Sequence, residues 1–160
     1  MITAFYSLLT FTLLGLPADT AELDPATDLG RLQGTWVAKT GPRKSIHVTL
    51  EVTGTSASFT IKLPTGMKIH AEGHVRLDES MTPKAMDWIK FVGPDAGELP
   101  EIPAIYRLEG NSFVVCSGGL NSGRPQEFQR GEGLLTEVVT FERVDGKPGS
   151  NTVAALPVSR

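Results

Sequence analysis

The residues in this chain that could carry out chemistry are scattered, and the most closely spaced set is "HAEGH", where His70, Glu72 and His74 alternate along one side of an extended segment. Imidazole, carboxylate and imidazole together are ligands suited to zinc or copper. At about 3.3 Å rise per residue the two histidines stand roughly 13 Å apart, too far to share one ion unless Gly73 introduces a bulge. A solvated outer face, shared with Lys68 and Arg76, is the better reading, and no metal or other cofactor is expected. Nucleophilic catalysis needs a nucleophile, a base and an orienting group in contact. The chain has no G-x-S-x-G elbow, and "CSGG" leads into a loop. "SGGLNSGR" lacks the Lys-Ser/Thr ending of a phosphate loop. Asp95, Glu98 and Glu101 make an acidic loop without the alternating carboxylates of a calcium site. Asp87, between Met86 and Trp88, is a carboxylate in an apolar run and calls for a partner, with Arg124 or Lys84 the candidates. A hydrolase-type enzyme would use Asp87, Tyr106, Arg124 and Glu137 around one mouth.

The scaffold that must position these groups is bounded by composition. A chain of 160 residues with 40% apolar and 21% charged side chains supports one domain with one core. A formal net charge of −3 gives no reason to expect a nucleic acid partner. Gly 17 and Pro 11, spread between short apolar runs, are the punctuation of an all-β chain with many turns. The opening "MITAFYSLLTFTLLGLPA" has no charged side chain and an apolar run from about Ala4 to Leu16, which suits a secretory signal peptide over residues 1–21. It is too short and too rich in Ser and Thr for a membrane span. Export to the periplasm or beyond is therefore expected, with no stable membrane span after cleavage. Cys116 is the single cysteine, so no internal disulfide can form and the thiol is expected to be buried.

After the signal, "ELDPATDLGRLQG" offers Asp24 as a helix N-cap, Pro25 at the first helical position, and Gly30 or Gly34 as the stop. From there the period is two. "SIHVTLEVTG" sets Ile46, Val48, Leu50 and Val52 against His47, Thr49, Glu51 and Thr53. "ASFTIKLP" turns Phe59, Ile61 and Leu63 inward, and "MKIHAEGHVRL" does so with Met67, Ile69, Ala71, Gly73, Val75 and Leu77. "LPTG" and "EGN" read as tight turns. "TPKAMDWIKF" is a less cleanly alternating strand, "GPDAGELPEIP" a loop, and "QEFQ" the start of another strand. "LLTEVVTFERV" closes the domain, with Leu135, Glu137, Val139, Phe141 and Arg143 in one row. The barrel domain spans 22–145, and 146–160 is expected to be a mobile tail.

Eight or nine short strands joined by tight turns form a meander, which commonly closes on itself and so removes its edges. An antiparallel up-and-down barrel of about eight strands is wide enough to be filled by side chains or to hold one small ligand. Pairing of first and last strands would bring Arg143 over Trp36, an end-plug in which the indole covers the barrel end and the guanidinium covers the indole.

The short helix, the Gly34-x-Trp36 pair and the late Arg143 resemble the lipocalin (calycin) signature. "LQGTW", "LDESMTPKAMDW", "IYRLEGNSFVVC", "GRPQEF" and "TFERV" are similar in order and spacing to an uncharacterised exported domain family expanded in planctomycete bacteria, over about residues 29 to 144. That family often has Gly-Ile-Tyr where this chain has Ala104, Ile105 and Tyr106, and "LCF" where it has Val115, Cys116 and Ser117. The resemblance implies a secreted lipocalin-like barrel and carries over no catalytic residues. The expected function is non-enzymatic: binding of a small apolar ligand, or of a protein partner, with Trp36, Val48, Leu50, Phe59, Ile61, Ile69, Tyr106 and Phe141 lining any cavity. The alternatives are an envelope interaction module with a filled core and the enzyme site named above.

Overall fold

The computed structural model describes residues 23–93, 97–132 and 135–144. The expected signal segment and C-terminal tail lie outside them. The chain forms a short helix α1 (Asp28–Leu32) and eight strands: β1 (Gly34–Thr40), β2 (Ile46–Thr53), β3 (Ser56–Lys62), β4 (Lys68–Asp78), β5 (Ala85–Val92), β6 (Ile102–Glu109), β7 (Ser112–Ser117) and β8 (Val138–Arg143). Each strand pairs antiparallel with the next, and β8 pairs back onto β1, so the sheet is a closed barrel. Closure gives every strand of the described sheet a paired neighbour on both sides.

The turns follow local chemistry. Gly54 (φ 61°), Gly66 (φ 87°) and Gly110 (φ 55°) supply the left-handed positions of the β2–β3, β3–β4 and β6–β7 hairpins. In the second of these, Leu63 N donates to Met67 O at 2.9 Å. Met67 therefore belongs to the turn and is 55% exposed, not inward as its parity suggested.

The inward rows meet in an aromatic chain along the barrel axis. Trp36 and Phe113 have ring centroids 5.8 Å apart, Phe113 and Phe141 5.8 Å, Phe141 and Phe59 6.5 Å, and Phe59 and Trp88 5.0 Å. These lie in the range of favourable ring pairs. Phe91 fits through a bulge in β5: Glu72 pairs with Val92 but His74 with Ile89, so Lys90 and Phe91 face Gly73 together. A Cβ on Gly73 would stand 2.5 Å from the Phe91 ring, so the glycine makes room for that side chain.

Three expectations change. Thr27, not Asp24, is the N-cap, its Oγ1 accepting from Gly30 N at 3.1 Å, while Asp24 accepts from Ala26 N one turn earlier. Gly30 lies inside the helix because its bare backbone packs against Asp24 O. The strand expected at "QEFQ" does not form. The long connection from β7 to β8 instead runs over the outer faces of β5, β6 and β7. Gly118 N donates to Pro103 O, Arg124 to Met86 O and Ala104 O, and Cys116 Sγ to Gln129 O. This cover buries the outward residues Ala85, Asp87, Ile105, Val114 and Cys116, so these strands are apolar on both faces and do not alternate. Finally, β8 begins at Val138, and Leu135, with φ 64° and 52% exposed, is not part of an inward row.

Candidate functional site at the two ends of the barrel

One end is closed by α1. A five-residue helix leaves most of its terminal carbonyls without intrahelical partners, and here side chains of the barrel supply them. Trp36 Nε1 donates to Leu32 O at 2.8 Å and Gln33 Nε2 to Leu29 O at 2.8 Å. Arg143 donates to Gln33 O at 2.6 Å and to Arg31 O. Its guanidinium lies 4.0 Å over the centre of the Trp36 ring, where β1 and β8 pair Trp36 with Arg143. The indole beneath is fully buried. Gln33 also exchanges two hydrogen bonds with the backbone of Gly54, tying the helix to the β2–β3 turn.

Beside this plug sits a buried charge network that composition and spacing did not reveal. Asp28, 2% exposed, accepts from Arg31 Nη1 (3.0 Å), Lys84 Nζ (2.6 Å) and Tyr106 Oη (2.9 Å), and its backbone N–H donates to Glu79 at 2.8 Å. A carboxylate so enclosed requires these donors. Burial, reinforced by the Asp28 carboxylate, pushes the Tyr106 phenol far above its ordinary range. The hydrogen bond to Asp28 likewise raises Lys84. The Asp28–Arg31 spacing at i,i+3 was the one visible sign. Lys84 and Glu79 arrive from a distant loop.

The opposite end differs. On β2 to β4, Ile46, Phe59, Ile61, Ile69 and Ala71 point inward by register yet are half-buried, while Ala38, Val48, Phe91 and Ile102 toward the same end are buried. Val48, Leu50, Phe141, Tyr106 and Trp36 form the deeper layers. Water therefore reaches an apolar row at this end.

The enzyme constellation does not assemble. Asp87 and Arg124 do meet, at 2.6 Å, but on the outer face of β5, where Arg76 also binds Asp87 at 2.9 Å and reaches Glu101. Tyr106 faces the barrel interior toward Asp28. Glu137 precedes β8 and holds Thr40 and Arg130. A surface hollow of about 340 Å³ lies beside the Asp87 cluster, lined in part by Leu77, Asp78 and Met81. Two guanidinium groups already occupy the carboxylate there, which describes a strap holding the long connection to the sheet. His70 binds Glu72 at 2.9 Å and Thr60 at 3.2 Å on the solvated outer face, with His74 two residues further along. Among the described residues no three His, Cys, Asp or Glu side chains form a metal-sized group. Burial raises the Cys116 thiol, which keeps it protonated and unreactive. No family model, no curated protein and no solved structure matched this chain.

Proposed function

We propose that this protein is an exported, non-enzymatic lipocalin-like barrel that takes up a small apolar ligand through the end opposite α1. The carrying observation is a partly exposed apolar row on β2 to β4 toward that end: inward-facing Ile46, Phe59, Ile61 and Ile69 remain half-buried, whereas Trp36, Leu50 and Phe113 are fully buried. Apolar side chains left wet at a barrel end gain free energy when an apolar group covers them, about 25 cal/mol per Å². Ligand sites in barrels lie at such mouths.

The test is titration with N-phenyl-1-naphthylamine, a neutral apolar fluorophore. Saturable, stoichiometric enhancement is expected, and Ile69→Trp, which fills the mouth without adding charge, should abolish it. Absence of saturable binding, or binding indifferent to Ile69→Trp, overturns the ligand reading. The aromatic chain along the axis supports a second reading, a filled-core interaction module, and that outcome would favour it. Export rests on the uncharged apolar opening of the chain. Intact mass of protein from the native envelope fraction should place the first residue at 19 or 22, and recovery of a chain starting at Met1 refutes it.

A further inference from the structure

The strand register gathers cations on one patch of the outer surface. Lys39 on β1 pairs with His47 on β2, His47 with Lys62 on β3, and Lys62 with Lys68 on β4. These four positions form one cross-strand row at the end opposite α1, all on the outward parity and all exposed. Arg43 and Lys44, in the turn that joins β1 to β2, extend it. None of the five Lys and Arg side chains is in an ion pair among the described residues. Along β2 and β4 the first acidic positions on this face are Glu51 and Glu72, four residues toward the closed end, and Glu72 is held by His70. The exposed acids Asp78, Glu79, Glu109 and Glu142 lie near the α1 end. On β1 to β4 the outward cations therefore gather toward the mouth, while Glu98, Glu101 and Glu137 lie on the β5, β6 and β8 side of that end.

Like charges directly opposite on adjacent strands destabilise a sheet, so the Lys62–Lys68 pair is unfavourable until an anion meets it. Two further features fix what kind of anion. The β3–β4 turn between those lysines projects Met67, more than half exposed, beside Pro64. Next to it a hollow of about 450 Å³, lined by Ser45, His47, Lys62, Leu63, Pro64, Thr65 and Gly66, offers hydroxyl and cationic groups around a space large enough for a headgroup. We propose that this face docks on an anionic lipid bilayer, Met67 entering the interface while the lysine row meets the headgroup phosphates. A soluble polyanion would satisfy the row but leave the exposed methionine unexplained. The docked orientation would present the apolar mouth to the lipid, but the proposal does not depend on any ligand entering it.

The test is co-sedimentation of the protein with vesicles of equal parts phosphatidylcholine and phosphatidylglycerol, against phosphatidylcholine alone. Binding is expected only with the anionic vesicles, falling as salt rises. Neutralising Lys62 and Lys68 together, Lys62→Gln with Lys68→Gln, should lower partitioning about 25-fold, roughly fivefold for each cation. Met67→Ser should weaken binding at every salt concentration, and Arg107→Gln on the outer face of β6 should leave it unchanged. The lysine variant should also unfold at higher urea than the parent, because a repulsive pair is gone, which excludes misfolding as the cause of lost binding. It should take up N-phenyl-1-naphthylamine as the parent does, so docking and ligand uptake fail separately. Equal binding to neutral vesicles, indifference to the lysine variant, or capture of a heparin fragment without vesicle binding overturns the proposal.

Discussion

The guanidinium of Arg143 both covers an indole and closes a helix. Stacked at 4.0 Å on Trp36, it also donates to the carbonyls of Arg31 and Gln33, which α1 cannot satisfy itself. These are three uses of one planar fork, and a lysine ammonium cannot reproduce them together. Trp36→Ala should cost about 3 to 5 kcal/mol, the range for a large buried aromatic. Arg143→Ala should cost about 1 to 3 kcal/mol, since stacking and the capping bonds are both lost, and Arg143→Lys should recover less than half of that. In urea denaturation the double alanine variant should be less destabilised than the sum of the singles by at least about 0.5 kcal/mol, because the same end-plug is lost only once. Additive losses would show that the stacked geometry carries no coupling.

The helix illustrates how little an element of five residues owes to its own propensity. Isolated helices of this length do not persist in water, so α1 exists because Thr27, Gln33, Trp36 and Arg143 cap it and Asp28 anchors it. Gly30→Ala separates the two effects. Alanine is the better helix former by about 1 kcal/mol, but its Cβ would stand 2.1 Å from the backbone oxygen of Asp24. The clash is with backbone, which has little room to yield, and overpacking of that kind costs about 1 to 3 kcal/mol. A net loss of stability is therefore expected in thermal unfolding, and a rise in midpoint would mean that the Asp24 turn is free to move. The same contrast between local and tertiary control explains what could be read in advance. β2, β3 and β4 were legible because one face is core and the other water, leaving a strict period of two. β5 to β7 were not, because residues 118–132 fold over their outer side and bury it. Asp87 could be recognised as needing a cation and Arg124 named for it, since a buried carboxylate requires one. Nothing local to Asp28 could announce Lys84 and Tyr106, which the barrel brings to it from 56 and 78 residues away.

For the whole molecule, the Asp28 network sets the direction in which stability depends on pH. Tyr106 is held protonated by burial and by the Asp28 carboxylate, and Lys84 is held protonated by its hydrogen bond to Asp28, so both groups titrate higher in the folded protein than in the unfolded chain. For groups raised in this way the folded state binds more protons than the unfolded state once the pH exceeds the unfolded values, about 10 for both side chains. Their stabilisation is complete below that pH and is lost above it, since the slope of stability with pH follows the unfolded-minus-folded proton count. These two groups should leave stability level across neutral pH and lower it progressively as pH rises above about 10. The phenol provides a direct signal. Tyr6 and Tyr106 are the two tyrosines of the chain, and Tyr6 falls in the proposed signal segment, so in protein starting at residue 22 tyrosinate absorbance reports Tyr106 alone. That absorbance should stay absent past the ordinary phenol range and then appear in a single step with loss of the near-ultraviolet circular dichroism. Tyr106→Phe should flatten the alkaline decline in urea midpoint while lowering the neutral-pH midpoint, because Asp28 loses one of its three side-chain donors. Tyrosinate formed near pH 10 in protein that is still folded would mean that the barrel end admits water to the Asp28 cluster, and that α1 opens as a lid rather than standing as a plug.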